Sequence, residues 1–217
     1  MDLTHKLAEQ IVKQKLVVII RGVEKKYLKD LCEALYNAGI KFVEFTFNFF
    51  SDEETAECIK FINENFKEKL YVGAGTVLTE KQAELTKQAG GKFIISPNVD
   101  EKVIKKTKEL NTVSMPAGVP PTEIVNAYNY GADIVKLFPA ANFGPDYLKA
   151  VSAPLADIPI MAVGGITLEN IPPFLKAGAK AFGIGGNIIR KDLILKGEFK
   201  KIKDIAEKYV TAVNANE

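Results

Sequence analysis

Strand-like and helix-like segments alternate along this sequence, and the alternation predicts an α/β fold, a (β/α)8 TIM barrel with an N-terminal helix. Two observations support this class. Short apolar runs alternate about eight times with Lys- and Glu-rich segments of helical period. A glycine-containing step also recurs before every second apolar run. With 217 residues, 47% of them apolar, the chain fits a single barrel domain over residues 1–217.

The elements follow in a regular order. Residues 1–15 combine apolar positions with interspersed charges, which predicts the N-terminal helix. The apolar runs after it predict buried parallel strands, because such strands read as short, nearly continuous hydrophobic segments. These runs lie at 16–20, 41–47, 70–75, 92–96, 112–116, 133–139, 158–165 and 180–186.

A weak internal repeat strengthens the prediction of a barrel. Gly39, Gly90, Gly131 and Gly178 each stand just before a predicted strand. Each is expected to end a helix in the left-handed conformation. The intervals of 51, 41 and 47 residues correspond to two strand–helix units each, so the motif precedes strands two, four, six and eight. Eight strands in this length indicate a closed barrel with short loops, and an open doubly wound sheet is the alternative.

Composition and charge narrow the class of partner. The chain has 29 Lys and Arg against 27 Asp and Glu, a net charge of +2, and no long basic run, so no nucleic-acid partner is expected. No apolar run approaches the roughly 18 residues of a membrane span, so no membrane partner is expected either. The first residues do not read as a secretion signal, and the two cysteines suit a reducing compartment, which predicts a cytoplasmic protein.

The single histidine restricts the chemistry. His5 lies in the N-terminal helix, so the sequence offers neither a Ser/His/Asp triad nor a His-rich metal site. Catalysis would depend on Lys, Glu, Asp, Tyr or Thr side chains.

Two charged residues, Glu44 and Lys136, lie inside predicted strands. In a sheet buried on both faces, such residues are costly unless they are paired or functional. Alternation along strand two places Glu44, Thr46 and Asn48 on one face, toward the barrel mouth. The same rule places Lys136 inside the barrel with Phe138, near the end of the strand where barrel active sites form.

Together these two side chains favour catalysis. A desolvated lysine loses basicity, so more of it is the neutral amine that attacks a ketone, and a carboxylate beside it can move protons. The structural alternatives are a lysine that snorkels at a strand end and a glutamate that is its buried ion-pair partner.

Glycine-rich ends of strands seven and eight predict a phosphate site. Backbone amides without side chains bind anions well, and barrels often bind phosphate after these strands. Tight turns are the alternative interpretation. These strand ends are Gly164-Gly165-Ile166-Thr167 and Gly183-Ile184-Gly185-Gly186-Asn187.

Other strand ends supply candidate substrate contacts. Thr76 follows strand three and offers a hydroxyl. Arg21 follows strand one and could pair with a carboxylate or phosphate, or form a structural salt bridge. Pro97, at the end of strand four, could shape the pocket.

Motifs in a fixed order carry a family resemblance over nearly the whole chain. They are IIRGV at 19–23, VEFTFN at 43–48, VGAGTVL at 72–78, ISPN at 95–98, VKLFPA at 135–140, GPDYLKA at 144–150 and AVGGI at 162–166. In this order they resemble the 2-keto-3-deoxy-6-phosphogluconate (KDPG)/6-phosphogalactonate and 4-hydroxy-2-oxoglutarate aldolase family.

The resemblance implies a class I aldolase. It implies cleavage of the phosphorylated gluconate or galactonate keto acid to pyruvate and glyceraldehyde 3-phosphate, and of 4-hydroxy-2-oxoglutarate to pyruvate and glyoxylate. It further implies a homotrimer without metal or cofactor, in Entner–Doudoroff-type carbohydrate metabolism. It makes Lys136 the Schiff-base lysine and Glu44 the general acid/base. Substrate contacts would come from Arg21, Thr76, Pro97, Phe138, Asn48 and Val163, and phosphate contacts from Gly164, Gly165, Gly185, Gly186 and Asn187.

Departures from the family pattern bear on the substrate. Asn48 stands where an arginine is common, Val163 where the gluconate enzymes often have Thr, and Asn187 nearest to a frequent serine. Asn48, Val163 and Tyr147 look like the 6-phosphogalactonate branch, whereas Thr46 stands where that branch often has proline.

Two other functions remain open at this stage. One is a different phosphate-binding barrel, an isomerase or synthase in which Lys136 acts only electrostatically. The other is a phosphometabolite-binding or assembly-forming barrel without catalytic activity, suggested by the missing arginine.

Overall fold

A computed structural model describes residues 3–215 and contains eight parallel strands in one sheet. Every predicted apolar run contains one strand, so the strand predictions are confirmed. The strands are β1 Leu16–Ile20, β2 Phe42–Thr46, β3 Tyr71–Gly75, β4 Phe93–Ile95, β5 Val113–Met115, β6 Val135–Leu137, β7 Ile160–Val163 and β8 Ala181–Ile184.

The sheet closes into a barrel between β5 and β6. Its strand order is β5-β4-β3-β2-β1-β8-β7-β6, and a parallel bridge joins Ala117 to Lys136 across the remaining gap. The Lys136 N–H donates to the Pro116 carbonyl at 2.9 Å, and the Gly118 N–H donates to the Lys136 carbonyl at 3.0 Å. The predicted barrel is therefore confirmed, and the open doubly wound sheet is excluded.

Helices occupy the segments between the strands. A 3-10 turn, Lys67–Lys69, precedes β3. The α-helices are α1 Leu3–Gln14, α2 Lys25–Asn37, α3 Asp52–Phe66, α4 Glu80–Gln88, α5 Glu101–Glu109, α6 Pro121–Asn129, α7 Ala140–Ser152, α8 Ile171–Lys176, α9 Lys191–Leu195 and α10 Phe199–Asn214.

Local sequence signals fix several helix ends. Ser51 and Glu54 form a reciprocal capping box at the start of α3, and Thr79 and Asp100 cap α4 and α5 through their side chains. After the C-terminal end of α2, Gly39 has φ +93°. Its N–H donates to the Tyr36 carbonyl, and the N–H of the next residue donates to the Leu35 carbonyl. This is the Schellman arrangement, and the same pattern ends α4, α6 and α8, as the glycine repeat predicts.

Two apolar layers position the site. Inside the barrel, a buried apolar cluster includes Phe42, Phe93 and Met161, together with Ile11 of α1. The second layer lies between strands and helices and includes Val43 from β2. Because the inner cluster fills the interior of the barrel, polar side chains have room only near the carboxyl ends of the strands.

Candidate active site

A cavity of about 680 Å³ lies at the carboxyl ends of the strands. It brings together every residue that the sequence selected for catalysis, substrate or phosphate. These are Arg21, Glu44, Asn48, Thr76, Pro97, Lys136, Phe138, Val163, Gly164, Gly165, Gly185, Gly186 and Asn187.

One expectation about this cavity is wrong, and several of its residues were not predicted. Thr46 was expected at the mouth with Glu44, but it is buried and instead borders a small separate pocket beside Phe50. Thr46 is the last residue of β2, and the small pocket that it borders is formed with residues of the turns after β1 and β2, among them Gly22 and Phe50. Three cavity residues had no predicted role, Ile19, Ile189 and Lys191. Three more, Ile166, Gly183 and Ile184, lie within the predicted glycine-rich strand ends but had no individual role.

Lys136 projects from the middle of β6 into the cavity. Its side chain is only 7% exposed, and Nζ lies 4.7 Å from the centroid of the Phe138 ring. Burial lowers the pKa of this amine below its ordinary value; the negative charge of Glu44 opposes the shift and the positive charge of Arg21 adds to it. The neutral, nucleophilic form is thus favoured relative to an exposed lysine.

Glu44 lies on β2 and is 2% exposed. Burial raises the pKa of its carboxyl to about 7, although the charges of Lys136 and Arg21 both act to lower it. Within residues 3–215 its Oε2 atom has no hydrogen-bond partner. A carboxyl with this pKa gains and loses a proton near neutral pH, which suits a general acid/base.

Two glycines of β3 leave space for larger neighbours. A Cβ on Gly73 would lie 2.3 Å from the Phe93 ring, and one on Gly75 would lie 2.5 Å from Oε1 of Glu44. The sequence predicts only a substrate contact at the end of β3, through Thr76. The structure shows that its glycines let the inner core and the carboxylate pack against the strand.

Thr76 follows β3 in an unusual backbone conformation. Its φ is +58°, a left-handed value that a β-branched residue rarely adopts. Such strain costs on the order of 1–3 kcal/mol and is concentrated at functional sites. Since Thr76 also lines the cavity, the strain marks this strand end as part of the site.

In the loop after β7, two backbone carbonyl groups accept hydrogen bonds from residues that do not line the cavity. The carbonyl of Gly164 accepts from the Ala141 N–H at 3.0 Å, and that of Gly165 accepts from the Asn170 side-chain amide at 2.8 Å. In a planar trans peptide, the following N–H points opposite to the carbonyl. The N–H groups of Gly165 and Ile166 therefore point away from these donors, as an anion site requires.

Asn187 ties this loop to the loop after β8. Its side-chain amide donates to the Ile166 carbonyl at 2.7 Å. The sequence analysis assigned Asn187 to phosphate as a direct ligand, and the structure adds that its side chain holds the two glycine-rich loops together. Gly186, in the second loop, faces open space, since a Cβ there would meet nothing within 4 Å.

Residues 3–215 show no sign of a membrane span or of a metal-binding cluster. No helix in that range is long and apolar enough to span a bilayer. Nor does that range contain a group of three or more His, Cys, Asp and Glu side chains that could hold a metal ion.

Comparison with known proteins gives a consistent result. The family model "KDPG and KHG aldolase" matches residues 7–205. The chain is 32% identical over 179 residues to the 2-dehydro-3-deoxy-6-phosphogalactonate aldolase of Escherichia coli (strain K12), covering 82% of this chain and 86% of the relative. It is 30% identical over 212 residues to the 2-dehydro-3-deoxy-phosphogluconate aldolase of Haemophilus influenzae, covering 97% and 98%.

The fold gives the same similarity. A solved structure described as native KDPGal superposes with a TM-score of 0.84 at 31% sequence identity, and the match covers 92% of this chain and 94% of that one.

Proposed function

The chain belongs to the KDPG and KHG aldolase family, and from this premise we propose that it is a class I aldolase acting on phosphorylated 2-keto-3-deoxy sugar acids. The substrates are 2-dehydro-3-deoxy-6-phosphogluconate, its galactonate epimer or both, and 4-hydroxy-2-oxoglutarate is a further substrate. The observation that carries the proposal is the buried pair of Lys136 and Glu44 in one cavity, with the pKa of each shifted toward its uncharged form.

The first step forms the covalent intermediate. The neutral Nζ of Lys136 attacks C2 of the keto acid, and a C–N bond forms as the ketone oxygen becomes a hydroxyl. Loss of that hydroxyl as water leaves an iminium, which withdraws electrons from the neighbouring carbon. Glu44, through a water molecule, donates the proton that the departing oxygen needs.

The second step breaks the carbon–carbon bond. The Glu44 carboxylate takes the proton of the C4 hydroxyl, C4 becomes an aldehyde carbon, and the electrons of the C3–C4 bond enter the iminium. Glyceraldehyde 3-phosphate leaves, and the enamine that remains is protonated at C3. Water then hydrolyses the iminium, which releases pyruvate and restores Lys136. The water consumed here balances the water lost in the first step.

The glycine-rich loops after β7 and β8 hold the substrate phosphate in this proposal. The support is the direction of their peptide groups, because the carbonyls of Gly164 and Gly165 are already bound by Ala141 and Asn170, which do not line the cavity. Gly185 and Gly186 present backbone at the opposite wall without a side chain to obstruct it.

The remaining cavity residues hold the rest of the substrate. Arg21 and Thr76 bind the pyruvyl part, in line with the positive charge of Arg21 at the rim and the hydroxyl of Thr76 at the wall. Pro97 and Phe138 wall the pocket, and Phe138 packs beside the Lys136 amine. Asn48 and Val163 contribute to the choice of substrate.

We also propose a cellular setting and an oligomeric state. We place the chain in the cytoplasm, in the sugar-acid branch of carbohydrate metabolism, as a homotrimer. Light scattering of the purified protein tests the trimer, and a mass other than three chains contradicts it.

The activity is tested by supplying each epimeric substrate to the purified protein and measuring pyruvate and glyceraldehyde 3-phosphate. We expect both products in equal amounts from at least one epimer. Lys136→Met should abolish the release, while Lys149→Met, a matched change at an exposed lysine, should not alter it. Absence of products from both epimers contradicts the proposal.

A further inference from the structure

Lys191 lines the cavity beside the glycine-rich loop after β8, and the function proposed above gives it no role. Its Nζ lies 5.2 Å from the centroid of the Phe49 ring, in the turn after β2. It also lies 3.3 Å from where a Cβ on Gly22 would be, in the turn after β1. The strand order β2-β1-β8 makes these three chain segments neighbours at one side of the cavity mouth.

Arg190, the residue before Lys191, has a carboxylate partner, whereas Lys191 has none within residues 3–215. Arg190 binds Asp192 through two contacts of 3.1 and 3.2 Å, so its charge is compensated at the surface. Among the residues that the structure describes, no carboxylate oxygen lies within 4.0 Å of the Lys191 Nζ. Lys191 instead makes a cation–π contact with the exposed Phe49 ring. An exposed contact of this kind is weak. The charge of Lys191 is thus available to a ligand in the cavity.

The ligand that suits this position is an anion at the β7–β8 side of the cavity. Gly185 and Gly186 line the same wall, and the N–H groups of Gly165 and Ile166 point away from their outer donors. Backbone amides supply directed hydrogen bonds but no net charge. A lysine ammonium supplies a point charge on a flexible stem, which is how lysine commonly binds phosphate.

We propose that Lys191, which lies beside the Phe49 ring at the rim of the cavity, is a specificity-determining residue that binds the terminal phosphate of the substrate. It thereby selects phosphate monoesters over keto acids and aldehydes that lack the phosphate. This inference rests on the proposed function, because the reaction defines which end of the substrate carries the phosphate. Gly22 contributes by leaving room for the ammonium, since a side chain there would contact Nζ.

The test compares three variants with the wild type. Lys191→Met removes the charge and keeps much of the stem, Lys191→Arg keeps the charge, and Arg190→Met removes the neighbouring, compensated charge. Each is assayed for kcat and KM in cleavage of the phosphorylated substrate, for the pyruvate adduct trapped by borohydride, and for binding of inorganic phosphate by 31P NMR.

We expect Lys191→Met to raise KM roughly 10- to 100-fold, the range for losing one charge-assisted hydrogen bond. Its kcat and its pyruvate adduct should match the wild type, because pyruvate carries no phosphate. Lys191→Arg should restore most of the affinity, and Arg190→Met should resemble the wild type. The inference is overturned if Lys191→Met leaves KM and phosphate affinity unchanged, or if Arg190→Met has the same effect.

Failure of the proposed function is distinguishable from failure of this inference. If the wild type forms no pyruvate adduct but binds phosphate in a Lys191-dependent way, the aldolase mechanism fails and the phosphate assignment stands. If the adduct forms and phosphate binding is indifferent to Lys191, the assignment fails and the aldolase mechanism stands.

Discussion

The backbone of Gly75 packs directly against the carboxylate of Glu44. A Cβ on Gly75 would lie 2.5 Å from Oε1 and 2.7 Å from Cδ, closer than side chains approach each other in proteins. The two residues lie on adjacent strands, β3 and β2, near the ends that form the cavity. The glycine therefore sets the position of the Glu44 carboxylate in the cavity.

The variant Gly75→Ala should displace that carboxylate. We expect kcat to fall about 100-fold, at the lower end of what general acid/base catalysis contributes, with the fold retained. Steady-state kinetics and circular dichroism measure the two effects. In a Glu44→Gln background the same change should cost little more, because the group it displaces no longer transfers protons. A folded Gly75→Ala enzyme with wild-type kcat would contradict this role.

The raised pKa of Glu44 makes stability depend on pH. The carboxyl has a pKa of about 7 in the folded protein against an ordinary value of 4.5, so between these values the folded state binds more protons than the unfolded state. This contribution to the free energy of unfolding falls as pH rises through that window. The Glu44→Gln variant lacks the term, and its stability relative to wild type should rise from pH 5 to pH 8 by on the order of 3 kcal/mol. Urea unfolding at both pH values measures it, and an equal difference at both would refute the assignment.

Asn187 connects the two loops that are proposed to hold phosphate. Asn187→Ala removes the 2.7 Å hydrogen bond to the Ile166 carbonyl and leaves the backbone N–H groups in place. We expect KM for the phosphorylated substrate to rise roughly 5- to 10-fold, as for loss of one hydrogen bond, with little change in kcat. Pyruvate trapping serves as the control that should not respond. A fall in kcat without a rise in KM would count against a loop-positioning role.

Val163 lies at the end of β7 and is 3% exposed, so the wall of the cavity has no hydroxyl at this position. Val163→Thr keeps the shape and adds one. We expect the ratio of kcat/KM values to shift toward the gluconate epimer by about 10-fold, since a hydrogen bond to a substrate hydroxyl discriminates between stereoisomers. Val163→Ala, which adds no hydroxyl, is the control. An unchanged ratio in the threonine variant would remove Val163 from substrate choice.

The fold followed from the sequence because its signals are local. Gly39 and its three counterparts each follow a helix with positive φ, and each apolar run contains one strand. A helix-ending glycine and a short apolar run are both signals that can be read from a few consecutive residues. The placement of Lys136 and Glu44 in one cavity also followed, because strand alternation is regular and a buried charge in a parallel strand is rare.

Other features depend on contacts between distant segments and left no local signal. Gly75 matters because β3 and β2 pair in a register that brings it against Glu44, and the sequence does not display that register. Lys191 begins a short charged helix and reads as a solvent-exposed lysine until strand order brings β1, β2 and β8 together. The position of Thr46 depends on the turns after β1 and β2, whose residues form the small pocket that it borders.

Borohydride reduction in the presence of pyruvate shows whether Lys136 forms the proposed Schiff base. Intact-mass spectrometry of the wild type should show one reduced pyruvyl adduct per chain, peptide mapping should assign it to Lys136, and Lys136→Ala should show none. A wild-type protein that gains no mass under conditions that label a known Schiff-base aldolase, or an adduct that maps to another lysine, would contradict the account.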